Sequence, residues 1–142
     1  MKNLLVLTAG MVLIFLSGCE NNDLLLSEKK LNSKIQKDWK IVSPSPSSDK
    51  REIWSFSNGS IAIRYTDNDT INTTSGTYSV DARTVKSYVN INGFDYYGST
   101  NSGFYSKDLN RKWTIVELDN GIMYLSGIDD RGTIRSMEFV EN

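Results

Sequence analysis

Histidine is absent from this chain of 142 residues, and cysteine and proline nearly so, with one and two copies. Without histidine there is no ordinary general base near neutral pH, no Ser-His-Asp arrangement and almost no route to a zinc or iron site. The single cysteine has another assignment, set out below, which leaves no thiol for a disulfide, a thiolate metal centre or a nucleophile. An excess of one charge is missing too: 16 Lys and Arg stand against 17 Asp and Glu. Nucleic acid therefore has no basic surplus to attract it, and no acidic block suggests disorder. These absences argue against an enzyme, a metal and a cofactor, and they leave stability to packing.

The chain does carry a distinctive N-terminus. Lys2 precedes an apolar run from Leu4 to Leu16, which falls within the 7–15 residues of a secretory h-region and short of the roughly 20 needed to span a membrane. The run closes on Leu16-Ser17-Gly18-Cys19. That tetrapeptide resembles the lipobox of bacterial lipoproteins. The resemblance implies cleavage before Cys19, a diacylglyceryl group on its sulfur and usually an acyl chain on its new amino group. Residues 1–18 would be a cleaved leader, and the mature chain would start at a lipidated Cys19. Two or three acyl chains anchor a protein firmly, where one holds it marginally. Glu20 stands where lipoproteins retained at the inner membrane commonly carry Asp, so the sorting rule of Gram-negative bacteria implies the outer membrane. Glu20-Asn21-Asn22-Asp23 is similar to the acidic tether that takes some lipoproteins to the cell surface, and it reads equally as a plain polar linker. Both the periplasmic face and the cell surface stay open.

Residues 19–36 read as a lipidated tether and a short helix. Ser27 and Glu28 can open the helix, and Leu31 and Ile35 give it a narrow apolar face. Residues 37–142 read as one β domain. Trp39 to Val42 form a first strand, and Ser43-Pro44-Ser45-Pro46-Ser47-Ser48 form a loop that uses both prolines. Arg51 to Ser57, Asn58-Gly59 and Ser60 to Thr66 make a hairpin on the strongest short-range signal available. Strands follow at Gly76 to Val80 and Thr84 to Asn92, with Phe94 to Tyr97 a candidate further strand, then at Trp113 to Leu118, Ile122 to Ile128 and Thr133 to Val140. With short connections and eight or nine strands, the expectation is an all-β, single antiparallel up-and-down barrel of about eight strands. A β-sandwich is the alternative.

The order of several short pieces resembles the small lipocalin-like domains of bacterial outer-membrane lipoproteins. A polar helix leads to Lys37-Asp38-Trp39-Lys40-Ile41, then come Trp54-Ser55-Phe56-Ser57-Asn58-Gly59-Ser60, Gly76-Thr77-Tyr78-Ser79-Val80, Trp113-Thr114-Ile115-Val116-Glu117-Leu118, Met123-Tyr124-Leu125 and Met137-Glu138-Phe139-Val140. The family's usual Gly-x-Trp reads Lys37-Asp38-Trp39 here. The resemblance implies a calycin-type barrel, a helix at one end, no catalytic residues, and in true lipocalins a cavity for a small apolar ligand. Trp54, Phe56, Tyr65, Tyr78 and Trp113 would line that cavity.

A second function class competes with the first: a module that binds an envelope protein, or inhibits an exported enzyme. Phe94, Tyr96, Tyr97, Phe104 and Tyr105 surround a Gly/Ser/Asn loop, and rigid aromatics on such a loop suit recognition. They could equally fill the barrel or cap its mouth. Asp67-Asn68-Asp69 opens like a calcium loop but lacks the Gly and Glu that would complete it, so turn chemistry explains it better. Asp69-Thr70-Ile71 resembles the acceptor of a bacterial O-glycosylation system, with Thr70 as the modified residue. Arg64, Lys86, Arg111, Lys112 and Arg135 would form an anion site only if the fold brought them together.

Overall fold

A computed structural model describes residues 27–46, 50–67, 69–95, 100, 104 and 106–142. Residues 1–26, on which the expected leader, Cys19 and the expected tether fall, lie outside the described residues, as do Tyr96, Tyr97 and Tyr105.

Helix α1 (Glu28–Ile35) starts where Ser27 caps it, the Ser27 hydroxyl accepting the Lys30 N–H at 3.3 Å, with Glu28 in the first turn and Lys34 in the last. Both ends suit the helix dipole. Leu31 and Ile35, one turn apart, are its buried residues. Eight strands follow: β1 (Asp38–Ser43), β2 (Glu52–Ser57), β3 (Ser60–Asp67), β4 (Thr70–Ala82), β5 (Ser87–Asn92), then after a one-turn helix α2 (Ser106–Leu109), β6 (Lys112–Asp119), β7 (Ile122–Ile128) and β8 (Ile134–Glu141). Each strand pairs antiparallel with its neighbour in sequence, and β8 returns to β1. The result is a closed up-and-down barrel with no sheet edge. The sandwich alternative is thereby excluded.

Two tight turns set the register. Asn58 and Gly59 (φ +47° and +80°) place Phe56 opposite Ile61 and Ile53 opposite Arg64, and Asn120 and Gly121 (φ +50° and +75°) place Leu118 opposite Met123. Positive φ at both central residues is the geometry that matches strand twist in a two-residue hairpin.

The sequence reading differs from this fold in four places. Strand β4 begins at Thr70 rather than Gly76, and β5 begins at Ser87 rather than Thr84. Thr70 to Ser75 has no apolar alternation because both of its faces are polar, yet its β-branched threonines suit a strand and pair fully with β3. Phe94 is not in a strand, since Gly93 (φ +80°) turns the chain inward after β5. The segment before β6 contains α2, which the sequence reading did not anticipate.

The interior is built from alternate positions of all eight strands. Trp39, Ile41, Trp54, Phe56, Ile61, Ile63, Tyr78, Val89, Ile91, Trp113, Met123, Leu125, Met137 and Phe139 form one cluster with Leu31, Ile35, Phe94, Phe104 and Leu109. Trp54 meets Phe139 edge-on at 5.1 Å between ring centroids, and Phe56 meets Tyr78 the same way at 5.0 Å. Two glycines make room for large rings. A Cβ at Gly127 would lie 3.0 Å from the Trp113 ring, and one at Gly76 would lie 2.9 Å from Phe94 and 2.5 Å from the Asn92 carbonyl oxygen.

Both rims are closed by the same device. Trp39 donates its indole N–H to the carbonyl of Ile35, the last residue of α1, at 2.9 Å, and Trp113 donates to the carbonyl of Leu109, the last residue of α2, at 3.1 Å. Lys37 and Arg111, each two residues before its tryptophan, lie over the indole rings at 5.3 and 5.8 Å. Their carbonyls accept the backbone N–H groups of Phe56 on β2 and Ile91 on β5. The local sequences match: Ile35-Gln36-Lys37-Asp38-Trp39-Lys40-Ile41-Val42 and Leu109-Asn110-Arg111-Lys112-Trp113-Thr114-Ile115-Val116. In an alternating barrel β1 and β6 run in opposite directions, so α1 stoppers one rim and α2 the other.

Candidate functional site

The five residues assigned to a cavity occupy the barrel interior. Trp54, Phe56, Tyr78 and Trp113 are buried in the central cluster, and Tyr65 packs against it. They pack on one another and on side chains from the facing strands, at the contact distances given above. Four recesses around the described residues lie on the rims and outer wall; none of the four is lined by Trp54, Phe56 or Trp113, while Tyr78 lines one of about 290 Å³ beside α1 with Glu28, Lys29 and Asn32.

Of the aromatic loop residues, Phe94 and Phe104 turn inward and are buried. Phe94 packs against Gly76, and Phe104 meets Trp113 edge-on at 6.2 Å. Asn110 clamps the Phe94 backbone from both sides, accepting its N–H at 2.9 Å and donating to its carbonyl at 2.8 Å. These two phenylalanines therefore help α2 close its rim. Thr70 is exposed at the first position of β4, between exposed Asp69 (φ +63°) and Ile71.

The cations singled out in the sequence do not converge. Lys112 reaches Asp81 at 3.3 Å, with Arg83 on the same carboxylate at 2.8 Å; hydrogen bonding from Arg83, and secondarily from Lys112, holds the Asp81 carboxyl below its usual value despite partial desolvation. Arg135 pairs with Asp129 at 3.0 Å, and Arg111 donates to the Ile128 carbonyl at 2.9 Å. Lys86 stands at the β4–β5 turn and Arg64 on the outer face of β3. Among the described residues no three of His, Cys, Asp and Glu come together to hold a metal, and no helix is long and apolar enough to cross a membrane. Glu52 is a buried carboxylate that the sequence did not flag; it accepts the Trp54 indole N–H at 2.7 Å. Its alternation with Trp54 and Phe56 is the signal that could have placed it inside.

Two surface features remain that could bind something. At the α1 rim, Leu31, Ile115, Val116 and Leu118 line a groove of about 520 Å³ with Val85, which is 88% exposed at the β4–β5 turn. On the outer wall, Arg51, Ile53, Arg64, Thr66, Ile71 and Asn142 line a recess of about 370 Å³. Compared with known proteins, the chain matches no family model, and no curated protein and no solved structure proved similar to it.

Proposed function

We propose that this chain is a non-catalytic recognition module of the Gram-negative envelope, held to the outer membrane by lipid on Cys19, and that it binds its partner through the outer wall and rims of a lipocalin-like barrel rather than through an interior cavity. The observation that carries the reading is the solid interior: three tryptophans and two phenylalanines from β1, β2, β6 and β8 meet inside the barrel, and the same tryptophan device stoppers both rims. Protein interiors packed this way leave no void for a ligand of drug size, which needs about 300 Å³ or more. The lipobox-like Leu16-Ser17-Gly18-Cys19 supports the address, and the lack of histidine in the sequence supports a binding role.

The test is uptake of a fluorescent fatty acid by the full chain, read from the emission of the tryptophans. The intact protein is expected to leave that emission unchanged. Saturable quenching in the intact protein would refute the reading and restore the interior as a site for a small apolar ligand.

A further inference from the structure

We propose that the outer wall of β2 and β3 carries a site for a phosphomonoester joined to a small apolar body, with Arg51 and Arg64 taking the phosphate and Ile53 and Ile71 taking the apolar part. The proposal rests on the reading that this barrel acts through its wall, and it names the ligand for that wall.

The register creates the site. Ile53 pairs with Lys40 of β1 on one side and Arg64 of β3 on the other, so all three point outward. The backbone of Arg51 accepts the Thr66 N–H at 3.2 Å, which sets Arg51 diagonally across from Arg64 on the same face. Diagonal cross-strand neighbours have Cα atoms about 7–8 Å apart, within the span over which two guanidinium groups can close on one tetrahedral anion. Arg51 is steadied by Asn142, to whose side-chain oxygen it donates. Among the described residues Arg64 and Lys40 have no ion-pair partner. The outward positions of β2, β3 and the facing part of β4 are Arg51, Ile53, Ser55, Ser57, Ser60, Ala62, Arg64, Thr66, Ile71, Thr73, Ser75 and Thr77, without a carboxylate. Outward acids border this set: Asp38 stands on β1 opposite Ser55, and exposed Asp69 precedes Ile71 by two residues.

Two arginines set diagonally on one wall repel one another, and an anion held between them relieves that repulsion. A guanidinium fork matches phosphate in two parallel hydrogen bonds, which ammonium cannot do. The apolar half of the ligand follows from the floor. Ile53 points outward and yet is only 3% exposed, at the bottom of the recess, while Ile71 on its margin is 68% exposed. A bare ion would leave the exposed Ile71 wet. The recess of about 370 Å³ suits a group the size of an aryl phosphate and is too small for a folded partner.

The experiment is calorimetric titration of the full chain in phosphatidylcholine nanodiscs with phenyl phosphate, inorganic phosphate and phenol. Phenyl phosphate is expected to bind one to one and saturably, inorganic phosphate about tenfold more weakly, and phenol without measurable heat. Arg51→Ala and Arg64→Ala should each weaken phenyl phosphate about tenfold or more, and Arg64→Lys should fall between, keeping charge while losing the fork. Repeating the titration in discs doped with phosphatidic acid separates the sources: competition assigns the site to a lipid headgroup, and its absence to a soluble phosphoester. Absence of saturable binding, or arginine variants that bind like the parent, would overturn the site while leaving the fatty-acid result, and so the wall-binding reading, intact. Equal binding of inorganic and phenyl phosphate would overturn the apolar half.

Discussion

Trp39→Phe and Trp113→Phe test whether the two rims are independent copies of one device. Each substitution removes an indole N–H that donates to the terminal carbonyl of a helix, at 2.9 and 3.1 Å. Neither carbonyl is orphaned, because each also accepts a backbone N–H at 2.8 Å, from Lys37 in one case and Arg111 in the other. The lost hydrogen bond therefore costs about 1 kcal/mol, not the larger penalty of a bare buried acceptor. Replacing indole by phenyl also withdraws about 40 Å² of apolar contact, or about 1 kcal/mol at roughly 25 cal/mol per Å². Each single variant should lose about 2 kcal/mol from a domain whose total is of order 5–15 kcal/mol. Since the two tryptophans serve opposite rims, the double variant should lose about 4 kcal/mol, additive to about 0.5 kcal/mol. Urea unfolding followed by the fluorescence of the remaining tryptophans measures this, with an unchanged denaturant slope as the check on two-state behaviour. A loss below about 0.5 kcal/mol in either single variant, or strong non-additivity, would refute the argument that each helix is locked locally by its own tryptophan.

Other perturbations probe the interior, the α2 rim, the β7–β8 turn and the lipid address. Gly76→Ala should destabilise by about 2–3 kcal/mol in the same urea assay, because its Cβ would press the Asn92 carbonyl and the Phe94 ring and the backbone of β5 cannot retreat. Asn110→Ala should release the Phe94 backbone, raising amide exchange at Phe94 while exchange at the β2–β3 hairpin stays unchanged. The Asp129 carboxyl is held below its usual value first by the Thr133 N–H, against partial desolvation, with help from the Arg131 N–H and Arg135. A carboxyl depressed in the folded state lends stability that is complete above its unfolded pKa, about 4, and is lost as pH falls through the lower folded value; Asp129→Asn should therefore flatten the acid-side decline of the melting temperature, and an unchanged decline would count against it. Finally, Cys19→Ala should leave an unprocessed precursor without acyl mass, as read by intact-mass measurement of the membrane fraction.

The barrel was legible because its turns are written in strong local signals. Asn58-Gly59 and Asn120-Gly121 fix two hairpins, and alternation in Ile61, Ile63 and Tyr65 and in Met123 and Leu125 says which face goes in. Strand β4 was half hidden because Thr70 to Ser75 is polar on both faces, and period-2 reading depends on contrast. Helix α2 was hidden by its length, since four residues carry no periodicity. The comparison that reveals it is internal: the eight residues from Ile35 and the eight from Leu109 share the apolar, basic and tryptophan positions, and the first set follows a helix that the sequence does announce. The Arg51–Arg64 pair could have been found by carrying the Asn58-Gly59 register outward to Arg64 and the residue diagonal to it, a step that attention to charge alone omits.

How a barrel of this size is filled decides where it can bind. Eight strands enclose just enough space for side chains or for one small ligand, not both. Here the choice falls on side chains, and the reason lies in the residues themselves. Three indoles enter from β1, β2 and β6, two of them fixed to helix ends that lie across the rims, so removing any one to admit a ligand would also unfasten a stopper or expose Phe139 and Phe104. An interior built this way gains stability from every ring that a carrier would have to move aside. Evolution of binding is then cheapest on the wall, where closed pairing satisfies the backbone without calling on the outward side chains of β2 and β3. On the part of that wall formed by β2, β3 and the stretch of β4 from Thr70 to Thr77, two arginines, a sunken isoleucine and a row of small hydroxyl side chains stand without an acid among them.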